Sequence, residues 1–178
     1  RTLSLSMGGV RDISLIETPP QGRLPIETVV GPFNEDQVRE AIERELKRSG
    51  QIYYVHNRIA SIETRKKFLH KLFPNLKIGL AHGQMTGETL EKAMWQFQNR
   101  EWDLLLSTTI IESGLDIPNV NTLIIEDSDE FGLAQLYQIR GRVGRQRQKA
   151  YCHLFFSEWN KLSEDARKRL KAIQEFST

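Results

Sequence analysis

The fold is decided by the stretch Gln51-Ile52-Tyr53-Tyr54-Val55-His56, whose apolar, β-branched and aromatic residues favour a strand. Before it, apolar residues recur every four positions between 38 and 46 and predict an amphipathic helix that Gly50 ends. After it, a second helix is predicted over about 61–73. Helix, strand and helix therefore follow one another over some forty residues.

The same alternation continues along the chain. Further strands are predicted at residues 76–81, 104–107, 122–125 and 150–156, with helices beginning after Thr86 and at about Leu133. This spacing predicts an α/β fold, with βαβ units and a mostly parallel sheet between helices. In such sheets ligands bind beyond the carboxyl ends of the strands.

Composition excludes several classes of protein. Of the 178 residues, 39% are hydrophobic and 27% charged, as expected for one globular domain, and no apolar run is long enough to span a membrane. The single cysteine, Cys152, excludes a disulfide framework and a cysteine-based zinc cluster, and fits a reducing, cytoplasmic setting. No pair of histidines has metal-ligand spacing, so no metal site is predicted. The net charge of +2 does not by itself indicate a nucleic-acid binder.

A basic segment runs from Arg140 to Lys149, with five basic residues and no acidic one. Its two glycines allow the backbone to approach a ligand closely. Arg142 and Arg145 are three positions apart and can converge on one polyphosphate as bidentate donors. The alternative is a solvated basic turn, but the Gly-Arg-Val-Gly-Arg spacing favours a ligand-binding segment.

A second segment, residues 107–118, begins at a predicted strand end, where hydroxyls and backbone N–H groups can hold phosphate. Gly114 allows a turn that presents Asp116 beyond the sheet. The alternative is a polar loop in which Asp116 only forms the turn.

Together the two segments resemble motifs V and VI of superfamily 2 helicases and translocases. Motif VI of that family is matched by Gln138, Gly141, Arg142, Gly144 and Arg145. The resemblance implies a RecA-like helicase C-terminal domain, related to P-loop NTPases.

The resemblance also implies roles for individual residues. Arg142 and Arg145 would be arginine fingers that reach ATP across a cleft between two RecA-like domains, with Gln138 beside them. Three further residues would line the nucleotide side of the cleft, namely Gly114, Asp116 and Gly141. Contacts to the nucleic-acid backbone would come from Asn57, Arg58, His82, Gly83, Thr108 and Thr109.

Residues 104–149 resemble most closely the RecG and Mfd branch of double-stranded DNA translocases, and residues 6–20 are similar to the Mfd type rather than the RecG type. The resemblance implies an ATP-dependent translocase that displaces stalled RNA polymerase and couples transcription to nucleotide excision repair. Its partners would be double-stranded DNA, the first RecA-like domain of the same chain, and RNA polymerase and excision-repair proteins bound through other regions.

The sequence contains no Gly-x-x-x-x-Gly-Lys-Ser/Thr loop. ATP and Mg²⁺ would therefore be bound mainly by the other motor domain, and the chain alone is expected to bind no cofactor and to lack efficient ATP hydrolysis. The acidic run at residues 126–130 resembles a Walker B box but lies between motifs V and VI, so it is interpreted as an acidic loop that balances the arginine block.

The expected organisation has three parts. Residues 1–33 form an N-terminal segment packed on the sheet, residues 34–157 form the RecA-like domain, and residues 158–178 begin a helical translocation hairpin that the chain truncates. Ala166, Leu170 and Ile173 share one face of that last helix.

Two alternatives remain open at this level. One is a RecG-type helicase that remodels replication forks. The other, from a different class, is a nucleic-acid binding module without motor function, which rests only on the basic turn and the strand-end loops.

Overall fold

A computed structural model of the protein describes residues 26–108, 120–141, 143–144 and 148–175. Within these ranges the strands are β1 (Ile26–Pro32), β2 (Gln51–Val55), β3 (Ile78–Ala81), β4 (Leu104–Ser107), β5 (Val120–Ile125) and β6 (Ala150–Phe156). The helices are α1 (Glu35–Lys47), α2 (Ile62–Leu72), α3 (Gly87–Gln98), α4 (Leu133–Arg140) and α5 (Glu164–Glu175). Three short 3₁₀ turns lie at Ile59–Ser61, Ser128–Glu130 and Trp159–Lys161.

The strands form one sheet in the order β1-β6-β5-β2-β4-β3, and every pair of neighbours is parallel. All six strands therefore end at the same edge, called the carboxyl edge below, and begin at the opposite, amino edge. The predicted α/β class and parallel sheet are confirmed.

Helices cover both faces of the sheet. In β2, Ile52 and Tyr54 point into a core formed with α1 and α2, whereas Tyr53 and Val55 point into a core formed with α3, α4 and α5. Because both faces are covered, every residue of β2 is buried. This explains why strands of this sheet have unbroken apolar runs rather than alternating ones.

The predicted helix starts are confirmed, but one helix end differs. Asn34 accepts the N–H of Gln37 at 3.0 Å and so caps α1. Gly50 does not take the left-handed conformation after α1, since Ser49 does, with φ of 59°. Gly50 is required for a different reason, because a Cβ there would lie 1.9 Å from Oε2 of Glu45.

The two terminal parts are built into the same domain. Residues 26–32, expected in a segment packed on the sheet, are the strand β1 itself, paired with β6. Residues 1–25 lie outside the described part. At the other end, α5 buries Ala166, Leu170 and Ile173 in the core beside α4, so this helix belongs to the domain core. The expected hairpin stays a prediction.

Candidate functional site

The carboxyl edge brings together the loops that follow β5, β2, β4 and β3, which are neighbours in the sheet. Backbone hydrogen bonds join them: the N–H of Glu126 donates to Val55, that of His56 to Ser107 and that of Thr108 to Ala81. The distances are 3.0, 2.8 and 3.2 Å respectively. The first residues of these loops therefore lie side by side.

Five of the six residues predicted to contact nucleic acid lie at this edge. Asn57 and Gly83 are exposed, whereas Thr108 is buried and offers little side-chain surface. His82 accepts the N–H of Gln84 at its Nδ1, 3.3 Å away, which shapes the loop after β3. The sixth residue, Thr109, lies outside the described residues.

Arg58 is the predicted phosphate ligand with the clearest electrostatic setting. Its side chain is 55% exposed and forms ion pairs with Glu130 at 2.9 Å and Asp127 at 3.3 Å. These carboxylates, first Glu130 and then Asp127, raise the pKa of the guanidinium. A phosphate that bound Nε or Nη2 of Arg58 would compete with these carboxylates.

A buried carboxylate, Glu126, links the loops after β2 and β5. Tyr54 donates its hydroxyl to Oε2 of Glu126 at 2.5 Å, and Nδ1 of His56 lies 3.0 Å from Oε1. The Nε of Arg65 approaches Oε2 to 2.8 Å. The other ring nitrogen of His56 meets the hydroxyl of Ser61 at 2.7 Å, so Nδ1–H can donate to Glu126 while Nε2 accepts. Burial, followed by the charge of Glu126, raises the pKa of Tyr54 well above its ordinary value.

The acidic loop has ion-pair partners within the described residues. Arg65 pairs with Glu126, and Arg58 pairs with Asp127 and Glu130, so these partners come from α2 and from the loop after β2. Arg142 and Arg145 of the arginine block lie outside the described residues, so the expectation that the loop balances this block stays a prediction.

The amino edge holds the described part of the basic segment. Gly144 donates its N–H to Val120 at 3.1 Å, at the first residue of β5. It has φ of 76°, and a Cβ there would lie 2.9 Å from that of Ala150, the first residue of β6. Helix α4 therefore carries the chain from the carboxyl edge to the amino edge. Gln138 and Gly141, near its end, are exposed.

Of the residues predicted to contact the nucleotide, the structure describes two. Gln138 and Gly141 approach the amino edge, opposite the predicted nucleic-acid contacts. Gly114, Asp116, Arg142 and Arg145 lie outside the described residues. Among the described residues with a predicted role, those expected to contact nucleic acid lie at the carboxyl edge, whereas Gln138 and Gly141 lie towards the amino edge; that ligands bind at either edge stays a prediction.

Comparison with known proteins identifies the family. Residues 35–147 match the family model described as the helicase conserved C-terminal domain. The chain belongs to the helicase C-terminal domain family.

Relatives of this helicase C-terminal domain narrow its place in the family. The chain is 52% identical, over 99% of its length, to the transcription-repair-coupling factor of Staphylococcus haemolyticus, and 51% identical to that of Staphylococcus aureus strain USA300. It spans 15% of the length of each of these relatives.

Solved structures support the same fold. A structure of RecG bound to a three-way DNA junction is similar with a TM-score of 0.75 and 34% identity, over 90% of this chain and 23% of RecG. The C-terminal domain of the DEAD-box protein Dbp5 is similar with a TM-score of 0.61 and 16% identity, over 85% of each chain, which shows the fold alone.

Sequence reasoning missed the buried polar residues of this helicase C-terminal domain. Tyr54 and Arg65 bind Glu126, and a second buried carboxylate, Glu45, which is fully buried, accepts a hydrogen bond from Thr122. A signal for Glu45 was present, because it follows Val38 and Ile42 at helical spacing on the buried side of α1.

Two further titratable side chains, Cys152 and His153, are buried in the core. Burial raises the pKa of Cys152 to about 12. Burial, followed by the charge of Arg44, lowers the pKa of His153 to about 4. In the described ranges, no three side chains of the types His, Cys, Asp and Glu are grouped as a metal would need. Nor is any described helix both long and apolar enough to cross a membrane.

Proposed function

We propose that the chain is the second RecA-like motor domain of an ATP-dependent double-stranded DNA translocase of the transcription-repair coupling type. The observation that carries the proposal is the motif VI stretch 138–145 at the end of α4, together with the 52% identity to a transcription-repair-coupling factor. Because the chain spans 15% of that relative, the activity belongs to the intact protein.

The amino edge would face ATP. Gln138 and Gly141 are exposed there, and Arg142 and Arg145 are their neighbours in the sequence, so the residues present suit an anionic polyphosphate. Bound ATP with Mg²⁺, held mainly by the other motor domain, supplies the phosphoryl group that is transferred. Arg142 and Arg145 would stabilise the charge that develops on it, and Gly114 and Asp116 would line the same cleft.

The carboxyl edge would face the DNA backbone. Asn57, Arg58 and His82 sit on adjacent loops, and Gly83 and Thr108–Thr109 complete the set. The RecG structure that resembles this chain contains a DNA junction, which supports nucleic acid as the ligand of this edge. Closure of two motor domains on ATP would let this edge re-grip the duplex in each cycle.

The wider role follows from the relatives. The translocase would push RNA polymerase stalled at lesions and lead to nucleotide excision repair, with polymerase and repair proteins bound by regions other than residues 1–178. The cytoplasm is the compartment in which these partners occur.

Substitution of the two arginines tests the motor assignment. In the full-length protein, Arg142→Ala or Arg145→Ala should lower DNA-stimulated ATP turnover by roughly 10³-fold or more. Arg39→Ala is the control, because the Arg39 side chain is 42% exposed and its ion pairs among the described residues are with Asp36 and Glu35. ATP turnover at the wild-type rate in both arginine variants would refute the finger assignment.

The similarity to RecG favours a second candidate, a fork-remodelling helicase. Full-length protein should displace stalled RNA polymerase if the coupling-factor assignment is right. Regression of a model fork without polymerase displacement would favour the RecG type. Tight, sequence-specific DNA binding without ATP turnover would favour the non-motor module.

A further inference from the structure

Arg58, the exposed cation predicted to contact DNA, has a backbone that is hydrogen-bonded on both sides. Its N–H donates to the carbonyl of His56 at 2.9 Å, and its own carbonyl accepts the N–H of Ser61 at 3.3 Å. The Arg58 side chain, by contrast, is more than half exposed. The backbone of this residue is therefore held by two neighbours in the sequence, whereas its guanidinium is accessible.

The two residues that hold the Arg58 backbone are also joined to each other. Nε2 of His56 lies 2.7 Å from the hydroxyl of Ser61. His56 is buried, whereas Asn57 and Arg58 are exposed. The hydrogen bond between these two side chains thus closes the loop of residues 57–60 at its base. Because Arg58 lies inside the closed loop, the bond restricts the directions that its backbone can take.

His56 is itself fixed on its other side. Its Nδ1 lies 3.0 Å from Oε1 of the buried Glu126, and its backbone N–H donates to Ser107, the last residue of β4, at 2.8 Å. With Nδ1–H donating to the carboxylate, Nε2 is free to accept the Ser61 hydroxyl. The imidazole therefore joins a buried carboxylate to the loop that carries Arg58.

Ser61 serves this loop rather than the helix that it precedes. It stands at the N-cap position of α2, but its side chain makes no capping hydrogen bond among the described residues of that helix. A serine at an N-cap ordinarily accepts a backbone N–H of its own helix. The hydroxyl of Ser61 is instead directed to His56. Removal of the hydroxyl consequently opens the loop without uncapping α2.

We infer that His56 and Ser61 are positioning residues for Arg58 and hold it for a phosphate of duplex DNA, an inference that rests on the proposed function. They act through Arg58, because the buried ring of His56 does not reach a ligand at the surface. A cation whose backbone is already ordered loses less conformational freedom when it binds, so the closed loop strengthens the phosphate contact.

The first experiment measures duplex affinity, its salt dependence and Tm in the full-length protein, by fluorescence anisotropy and thermal unfolding. Ser61→Ala should weaken binding about threefold, the scale of the cost of ordering one long side chain. The slope of log K against log salt should fall by up to about 1, the value for one phosphate contact. Ser61→Thr, which keeps the hydroxyl, should bind as the wild type does.

Thr122→Val is the control for general stability. Thr122 donates its hydroxyl to Glu45 at the opposite, amino edge of the sheet, and valine keeps the shape of the side chain. This variant should lower Tm at least as much as Ser61→Ala does and leave duplex affinity unchanged. His56→Phe, which removes both ring nitrogens, should weaken binding at least as much as Ser61→Ala; if it does not fold, Ser61→Ala decides the test.

A double-mutant cycle shows whether the effect passes through Arg58. Arg58→Ala alone should weaken binding about fivefold, because one phosphate contact is lost. Adding Ser61→Ala to Arg58→Ala should then change affinity less than about 1.5-fold, because the side chain that the closed loop positions is gone.

Two results overturn the inference. One is wild-type affinity in Ser61→Ala while Arg58→Ala binds weakly. The other is a loss of about threefold on Ser61→Ala that persists in the Arg58→Ala background. Wild-type affinity and salt slope in Arg58→Ala would instead refute the proposed DNA contact of Arg58, and the inference with it, so the two failures are distinguishable.

Discussion

Among the described residues, Glu126 is the buried carboxylate at the carboxyl edge of the sheet and Glu45 the one at the amino edge, and their hydrogen-bond partners differ in number. Glu126, at the carboxyl edge, has partners on both oxygens, from Tyr54, His56 and Arg65. Glu45, at the amino edge, receives its hydrogen bonds on Oε1, while Oε2 has no partner among the described residues.

The two carboxylates therefore join different parts of the chain. Glu126 ties β2, the loop after it and α2 together at the carboxyl edge. Glu45 joins Thr122 of β5 to Arg48, which in turn donates to the carbonyl of Lys149 before β6. The following predictions test this contrast, from the largest expected effect to the smallest.

The largest effect should come from removing Glu126. Glu126→Ala leaves Arg65 and Tyr54 without their acceptor and should lower the free energy of unfolding by about 3–5 kcal/mol. Glu45→Ala should cost less, about 1–3 kcal/mol, because Arg48 can turn towards water. Urea unfolding of residues 1–178 gives both values, with the exposed Asp36→Ala as control. Equal costs for the two carboxylates would contradict the contrast.

The second prediction concerns the pH dependence of the free energy of unfolding and the buried His153. His56 contacts Glu126, whereas neither ring nitrogen of His153 has a hydrogen-bond partner among the described residues, and burial lowers the pKa of His153 to about 4. The unfolded chain binds the proton near pH 6.5, so stability is complete above that pH and is lost as pH falls towards 4. His153→Phe should remove about 3 kcal/mol of this pH dependence.

Urea unfolding of wild type and His153→Phe between pH 8 and pH 4 tests this. The difference in unfolding free energy should be constant above pH 7 and change in favour of the variant below pH 6.5. A difference that is constant across the whole range would show that His153 is protonated as readily in the folded chain as in the unfolded one.

The third prediction tests the amino edge through its backbone. Gly144→Ala places a side chain at positive φ and against Ala150, and should cost about 1–3 kcal/mol. Gly87→Ala is the matched control, since nothing lies within 4 Å of a Cβ there. Thermal unfolding measures both. In the full-length protein, Gly144→Ala should impair ATP turnover and leave DNA affinity unchanged, and a loss of DNA affinity would contradict the division between edges.

The smallest effect should appear in DNA binding at the carboxyl edge. Arg58→Ala should weaken duplex affinity by about 1 kcal/mol and reduce the slope of log K against log salt by about 1. Replacing its competitors, with Asp127→Asn and Glu130→Gln together, should strengthen binding. Fluorescence anisotropy of the full-length protein at several salt concentrations measures both changes. An unchanged slope in Arg58→Ala would show that Arg58 does not contact DNA phosphate and only forms ion pairs with the acidic loop.

The sequence predicted most of the fold because strands buried on both faces have runs that are easy to recognise. Residues 150–156 were predicted as a strand and form β6 with the same bounds. The buried carboxylates were not predicted, because their burial depends on distant partners: Glu45 binds Thr122, and Glu126 binds Tyr54. A charged residue in a helix is ordinarily solvated, and only the packing of α1 on β5 makes Glu45 an exception.

The position of β1 in the sheet also could not be predicted from the local sequence pattern. Residues 26–32 were expected within a segment packed on the sheet, and nothing in their sequence specifies pairing with β6 rather than with another strand. Likewise, the basic segment indicated phosphate chemistry without indicating which edge of the sheet would carry it. The contact of Gly144 with Val120 supplies that information.

The pairing of β1 with β6 has a consequence for how the domain is made. Residue 26 pairs with residue 150, so β1 is synthesised well before β6, the strand with which it pairs in the described part of the chain. Contacts so distant along the chain slow folding, because loop-closure entropy is lost before the contact forms. During synthesis at roughly 5–20 residues per second, β1 stays unpaired for several seconds at least. This edge of the sheet is therefore completed only after β6 has been synthesised.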